Sequence, residues 1–593
     1  MSIWKRELAD YWDVDYIIDG ITYGFKVGIT EHLNEEEEKL CQSNMYIDLT
    51  KDERRAITEW VIKGAGKGYI VGPFDLEFKL PFKLHVSPMF VVPKATPGTY
   101  RPIAHLSYTK YPWQYSVNDM INEESKHVQY VSFKEIVHMM NNAGKNAYMF
   151  SADALDAYYR VPAHPSSWKY MGLKWMKKLW VFISLQMGLA SAPKIYTRFG
   201  DAVEHIIVKN AKNVAFINDV QSLRHYIDDY FGVARTQEEA QMLFDAVKYW
   251  FDKLGIPTRD NKCAGPRQVL KLLGWIWNSK KLEVELTLKK RSKALKLLKK
   301  LLKNKTTDKK EVERLVGILQ HISVVIFPGK AFVRRFELLI YDPRRKYGKQ
   351  IKLDWFIFEE INWWIEVLSK KNNVRAKYEY LLKSPSDADV HIWTDAASTI
   401  GVGGKMDSEL AFQVEWKDTI RDEVMKSRYW DIQSDEMLGS LIAIKLWAPK
   451  LTGKSVTLYN DNPGAAGAII SKAPALHRQD LQFMIREIAK LAVEYKFYFW
   501  GVKVLGSDND DADALSRFKI GDDYNWFRRG FEMNDAVDIT NEYMRKLIDY
   551  PQNLDESFDW NKNLRNKIHE ARLNAKQHCS SREKCWNVLK KRV

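Results

Sequence analysis

The sequence predicts a mixed α/β protein of roughly two to four domains, and three observations predict it. At 593 residues the chain exceeds what one hydrophobic core can cover. Apolar residues make up 46% and charged residues 28%, a composition that folds into globular domains in water. Short apolar runs that end in carboxylates, Ala147 to Asp153, Val390 to Asp395 and Val456 to Asp461, are interspersed with stretches of helical periodicity.

Charge and cysteine content narrow the function classes. A net charge of +15, from 91 basic and 76 acidic residues, beside 13% aromatics suits a polyanionic partner, although charge alone is equally compatible with solubility. Four cysteines (Cys41, Cys263, Cys579, Cys585) are too few and too scattered for a disulfide framework, so a reducing, intracellular compartment is expected. Cys579 and Cys585 lie near His578 but lack the close cysteine pairs of a zinc site. The charged first turn, and the absence of an apolar run near the ~18 residues of a membrane span, predict a protein neither secreted nor membrane-spanning.

In chain order, residues 1–50 carry aromatic and acidic clusters, including Glu35 to Glu38, and read as an N-terminal extension packed on the neighbouring domain. A helix is predicted from Lys51 to Lys63, ending in Gly-Ala-Gly-Lys-Gly. Residues 86–107 read as two strands joined by a Pro-Gly turn, with Lys94 and Arg101 flanking it. Cations on such a hairpin suit a triphosphate, and they suit a solvated basic turn as well. Asp153 ends a buried strand, with Tyr158 five residues on. The stretch from Gln186 through Gly188, Ser191 and Pro193 is a loop leading into a helix over Lys194 to Ile207, where glycine permits close backbone approach and proline suits a first turn. His225-Tyr-Ile-Asp-Asp-Tyr230 places two adjacent carboxylates, Asp228 and Asp229, at the tip of a predicted hairpin open to solvent. Such oxygens could bridge two Mg²⁺ ions about 3.5–4 Å apart, or simply form an acidic turn. The pairs Asp510-Asp511 and Asp522-Asp523 lack apolar flanks and receive no catalytic role.

Taken together, Phe-Ser-x-Asp153 with Tyr158, Gln186-x-Gly188 with Ala192-Pro193, Tyr-Ile-Asp228-Asp229 and Leu273-Gly274-Trp275 resemble the palm of a reverse transcriptase. The resemblance implies a right-hand polymerase in which Asp153, Asp228 and Asp229 hold two Mg²⁺, with Mn²⁺ as an alternative. It makes Lys94, Arg101, Tyr158, Gln186 and Gly188 the nucleotide-binding set, with Tyr158 as steric gate against a ribose 2′-hydroxyl, and Leu273 to Trp275 the primer grip. His105 stands where many relatives carry Asp.

Residues 289–310 hold eleven Lys or Arg against the single acid Asp308, with Leu295, Leu298 and Leu302 on one helical face. After a primer grip this resembles a thumb that tracks a duplex; a membrane-surface helix is the rival. Asp308 and Glu311 read as a cap opening the next helix. Trp355, Trp363 and Trp364 read as core of a connecting segment.

The second set follows a strand–helix–strand–helix pattern: Asp395; a turn at Gly401 to Gly404; Glu436 starting a helix with Leu438, Leu441 and Ile442 inward; Asp461; and Asp513 within Ala-Asp-Ala-Leu-Ser-Arg. Four carboxylates on two metals activate water against a phosphodiester. The order Asp, Glu, Asp, Asp resembles the ribonuclease H of gypsy-like and DIRS-like retroelements, with Asn460 where Thr is common. By the resemblance, the organisation is an N-terminal extension (1–50), fingers and palm (51–280), thumb (281–350), connection (351–389), a ribonuclease H-like α/β domain (390–517) and a basic C-terminal extension (518–593) whose Lys562, Arg565, Lys567, Arg572 and Lys576 share a predicted helix. The expected function is RNA-directed DNA synthesis with degradation of the hybrid's RNA strand. Its partners would be an RNA template, a DNA primer, RNA–DNA hybrid and deoxynucleoside triphosphates, with no membrane, in cytoplasm, nucleus or a virus-like particle. A polymerase-like scaffold without catalysis is the competing expectation.

Overall fold

The computed structural model describes residues 1–30, 49–94, 96, 98–109, 115–211, 222–341, 349–370, 373–475, 478–519, 525–526 and 529–551. The cluster Glu35 to Glu38, Cys41, the pair Asp522-Asp523, the His578, Cys579 and Cys585 group and the helix expected near Lys562 lie outside them. The chain divides into two compact units, Met1–Glu283 and Val284–Val593, both mixing helix and sheet as predicted.

In the first unit, helix Lys51–Gly66 opens on a capping box in which Thr50 and Glu53 satisfy each other's backbone N–H groups. It runs one turn past the predicted end, because Gly64 leaves room for Ile70 against the helix. Strands Met89–Pro93 and Tyr100–Ala104 pair antiparallel with Val92 opposite Arg101, which sets Lys94 and Arg101 at the hairpin's end as expected. The central four-stranded antiparallel sheet has the order Leu223–Tyr226, Asp229–Ala234, Tyr148–Asp153, Ala264–Arg267. Phe150 and Phe231 are fully buried in it, and truncation of either to Ala would cost about 3–5 kcal/mol. The helix predicted over Lys194 to Ile207 spans Ala192–Ala211. Helices Ser2–Glu7 and Val14–Tyr23 belong to the same core, with Trp4, Leu8 and Ile17 buried in it.

In the second unit, the basic helix Leu288–Asn304 buries Ala294, Leu298 and Leu301, a spacing of i, i+4, i+7. Leu302, expected inward, is exposed because it lies one residue, about 100° of helix rotation, beyond that row. Asp308 caps the next helix, Lys309–Ile322, as predicted, accepting from the Glu311 backbone N–H at 2.9 Å. Of the connecting tryptophans, Trp363 and Trp364 are core, whereas Trp355, first residue of helix Trp355–Ser369, is half exposed.

A six-stranded sheet organises the rest, in the order Tyr498–Lys503, Ser455–Asn460, Val390–Ala397, Gly401–Met406, Leu410–Glu415, Glu532–Asn534. The glycines expected to form a turn lie inside the strand Gly401–Met406, and the turn precedes them. Glycine is needed there because a Cβ at Gly403 would stand 2.5 Å from Leu515 Cβ of the overlying helix. Glu436 does not start its helix: Ile432–Trp447 begins a turn earlier, capped by Asp431, and is buried on nearly every side from Ser434 to Ile444. Part of the predicted C-terminal extension is integral to this unit, since Glu532–Asn534 adds the parallel edge strand and Tyr543, Met544 and Leu547 of helix Val537–Asp549 are buried. Apolar residues in that stretch outweigh its overall basic composition.

Candidate functional site

Two groups of carboxylates emerge, one in each unit. In the first, strand register sets Asp153 directly opposite Asp229. Asp228 occupies the turn between Tyr226 and Asp229, and its carbonyl accepts from Ala154 N–H at 2.9 Å, which fixes the turn against the end of the Asp153 strand. The left-handed backbone of this turn falls on Ile227 (φ 56°), not on an aspartate as the turn preference suggested. A β-branched residue there is strained, and such strain concentrates at functional sites. The pair is half-buried, not open to solvent as predicted, and Asp153 is buried. Burial, followed by the charges of Asp228 and Asp153, pushes the Asp229 carboxyl up to about 6, and burial likewise raises Asp228.

Sequence reading missed the cations beside Asp153. Lys262 Nζ lies 3.0 Å and Arg259 Nε 3.5 Å from its two oxygens. Backbone bonds from Leu155 to Pro257 and from Arg259 to Asp153 run the 257–262 segment alongside the carboxylate. A buried carboxylate without such partners is costly, so it takes the nearest cations. The three aspartates adjoin, but they do not form a set whose oxygens all lie within 4.8 Å; among the described residues only the group in the second unit does.

Lys94, Arg101, Tyr158 and Asp228 line one cavity of about 890 Å³, together with Lys63, Lys67, Asp156, Tyr159, Met187, Arg259 and Lys262. Tyr158 packs edge-on against Tyr196, with ring centroids 5.6 Å apart. Gln186 and Gly188 flank Met187 without lining that cavity; Gln186 is buried with its Oε1 unpartnered, and Gly188 (φ 102°) passes so close to the Ala104 carbonyl that a Cβ would sit 2.6 Å from its oxygen. Asn118, also missed, pins this loop by donating to the Gly188 carbonyl and accepting from Ala190 N–H, both at 2.9 Å. Lone asparagines in loops carry no sequence signal. Leu273 and Gly274, both with positive φ, form the turn between strands Val269–Leu272 and Trp275–Asn278, and Trp275 is buried against Phe133. His105, where the resemblance departs, packs edge-on against Phe90 and Tyr108.

In the second unit Asp395, Glu436 and Asp461 offer oxygens that all lie within 4.8 Å of one another. The parallel pairing of Val390–Trp393 with Val456–Tyr459 brings the ends of both strands to the same edge, and helix Ile432–Trp447 supplies Glu436 from above. Burial first, then the charges of Asp461 and Asp513, push Asp395 up to about 6 even though Ser516 Oγ donates to it at 2.5 Å. Burial and then the Asp395 charge hold Glu436 well above the usual carboxylate range, against an Asn460 Nδ2 donor at 2.9 Å. Asn460 thus holds Glu436 directly. Asp513 turns away from this set: Arg517 and Lys519 bond its two oxygens at 2.6 and 2.8 Å and, although burial opposes them, hold its carboxyl below the ordinary range. Asp511 is likewise committed to Lys405 and Arg529. An all-carboxylate donor set suits hard cations such as Mg²⁺ or Mn²⁺.

Residues 92–277 match the family described as reverse transcriptase (RNA-dependent DNA polymerase). No curated protein matches the chain. Among solved structures, the chain is similar to the foamy viral protease-reverse transcriptase dRH in complex with dsDNA, at 13% identity over 83% of this chain and 82% of that one, TM-score 0.43. It is similar also to the foamy viral protease-reverse transcriptase in complex with RNA/DNA hybrid, at 12% identity over 80% and 78% of the two chains, TM-score 0.40. No helix among the described residues is long and apolar enough to cross a membrane.

Proposed function

We propose that this chain, whose residues 92–277 match the reverse transcriptase family, copies RNA into DNA in its first unit and cuts the RNA strand of the resulting hybrid in its second. The observation that supports the polymerase reading most strongly is the shared cavity, which puts Lys94, Arg101 and Tyr158 on the same walls as Asp228. Lys94 and Arg101 would bind the triphosphate oxygens, Arg101 by its planar fork. The Tyr158 ring would exclude a ribose 2′-hydroxyl, Gln186 and Gly188 would shape the floor beneath template and nucleotide, and Leu273 to Trp275 would hold the primer end. Asp153, Asp228 and Asp229 would hold divalent metal, as would Asp395, Glu436, Asp461 and Asp513. When bound, two Mg²⁺ per site (or Mn²⁺ in their place) supply activation of the attacking oxygen and neutralisation of charge on the leaving one. Lys262 and Arg259 would then exchange Asp153 for the negative charge of the substrate.

The close Asp395, Glu436 and Asp461 set supports hydrolysis of a phosphodiester, with an RNA–DNA hybrid as substrate and with Asp513 joining once freed from Arg517 and Lys519. The exposed Lys296, Lys299 and Lys303 would track the duplex backbone. We read the whole as the replication enzyme of an LTR-type retroelement, gypsy-like or DIRS-like. Extension of a DNA primer on an RNA template with deoxynucleotides and Mg²⁺, followed by cleavage of labelled hybrid RNA, tests both halves. A chain inert in both assays, with its fold intact, would instead be the scaffold.

A further inference from the structure

The N-terminal thirty residues contain no catalytic motif, yet they are bonded to both elements that hold Tyr158. Asp13 takes a two-pronged bond from Arg198 on helix Ala192–Ala211, at 2.9 and 2.7 Å, and the guanidinium lies 3.4 Å from the centroid of Tyr16. Farther on, Phe25 forms a parallel bridge to Ala163: its N–H donates to the Pro162 carbonyl at 2.8 Å, and its carbonyl accepts from His164 N–H at 2.9 Å. That segment is the direct continuation of the Tyr158 turn, where Val161 N–H donates to the Tyr158 carbonyl. Gly24, at φ 91°, permits the approach, since a Cβ there would stand 2.6 Å from the Ala163 backbone.

Side chains join the same two points. Trp4 and Phe25 pack on Phe199 with centroids 5.3 and 6.5 Å apart, Phe199 on Tyr196 at 5.8 Å, and Tyr196 on Tyr158 at 5.6 Å. Phe25 and Tyr196 are almost wholly buried, so a shift at one end of this row displaces the next ring instead of filling free space.

We propose that the segment from Trp4 to Phe25 is a positioning brace that sets the Tyr158 ring, and through it the choice of deoxyribose over ribose. The inference rests on Tyr158 being the sugar gate. Asp13 and Arg198 act through Tyr158; neither lines the nucleotide cavity.

The test is epistasis in the full-length chain. kcat/KM for deoxynucleotides over ribonucleotides is measured for wild type, Asp13→Ala, Tyr158→Val and the double variant, with folding followed by near-ultraviolet circular dichroism and melting temperature. Asp13→Ala should lower the ratio by roughly tenfold, within the range of residues that act through packed neighbours, and should change nothing further in the Tyr158→Val background. A ratio unmoved by Asp13→Ala, or lowered equally in both backgrounds, overturns the brace while leaving the gate intact. If Tyr158→Val itself leaves the ratio unchanged, the gate assignment fails and the brace falls with it. Should Asp13→Ala not fold, Arg198→Lys carries the same comparison, because it keeps the charge and loses the fork.

Discussion

The two carboxylate centres handle the same electrostatic problem in opposite ways. Beside Asp153 the protein supplies its own cations, Lys262 and Arg259, and the three adjoining aspartates do not bring their oxygens within 4.8 Å of one another. Around Asp395, Glu436 and Asp461 the oxygens crowd together, and the nearby cations Arg517 and Lys519 are spent on Asp513. Neutral donors, Ser516 and Asn460, are what the crowded set receives. The first centre is therefore partly neutralised by cations of its own unit. The second stores unfavourable repulsion, which binding of a divalent ion would relieve.

The widest separation between them should come from ligand substitutions. Asp228→Asn should reduce primer extension by roughly 10³-fold while sparing hybrid cleavage, and Asp395→Asn or Asp461→Asn should do the reverse, taking loss of a metal ligand as about 4 kcal/mol. Loss of both activities from one well-folded substitution would contradict two independent centres. Next in size is Tyr158→Val, which should lower sugar discrimination by roughly 10²- to 10³-fold if the clash is worth about 3–4 kcal/mol, with hybrid cleavage unchanged. Competition assays with paired nucleotides read it directly.

Stability should also distinguish the centres. Asp395 has a folded pKa of about 6, above its ordinary 3.8, so the folded state binds the extra proton and the ionised carboxylate opposes folding. That penalty is absent below about pH 4, grows as pH rises through 6 and is complete above it, reaching at most about 3 kcal/mol. In metal-free buffer, Asp395→Asn should thus raise the melting temperature at pH 7.5 and lose its advantage near pH 4. Asp153→Asn should instead destabilise at pH 7.5 by about 1–2 kcal/mol, because two cations lose a charged acceptor. Equal responses at neutral pH would erase the contrast.

The smallest effect belongs to the basic helix. Charge reversal at Lys296, Lys299 and Lys303 should flatten the salt dependence of duplex binding by a slope of up to about 0.9 per lost phosphate contact on a B-form duplex, uniformly across sequences. An unchanged slope in fluorescence titrations would make these lysines merely solvated.

What the sequence by itself determined were features governed by neighbours a few residues apart. The strand ending at Asp153, the strands that carry Asp395 and lead to Asp461, though the first runs on to Ala397 and the second stops at Asn460, the hairpin beside Lys94 and Arg101, and the Asp308 cap follow from short-range backbone preference and apolar periodicity. Leu302 shows how far that reach extends, since the helical face was predicted with Leu298 correctly buried but with Leu295 and Leu302 one residue beyond the buried Ala294 and Leu301. Tertiary structure alone decided how distant charges were partnered. Lys262 meets Asp153 across 109 residues, and Arg198 meets Asp13 across 185. It also decided that Gly401 to Gly404 lie within a strand, because the requirement for glycine at Gly403 comes from Leu515 on a helix that passes overhead. The physical reason is the same in each case. Backbone periodicity acts over one turn or one pleat, whereas the energy of a buried charge or a close approach depends on which remote segment the completed fold sets beside it.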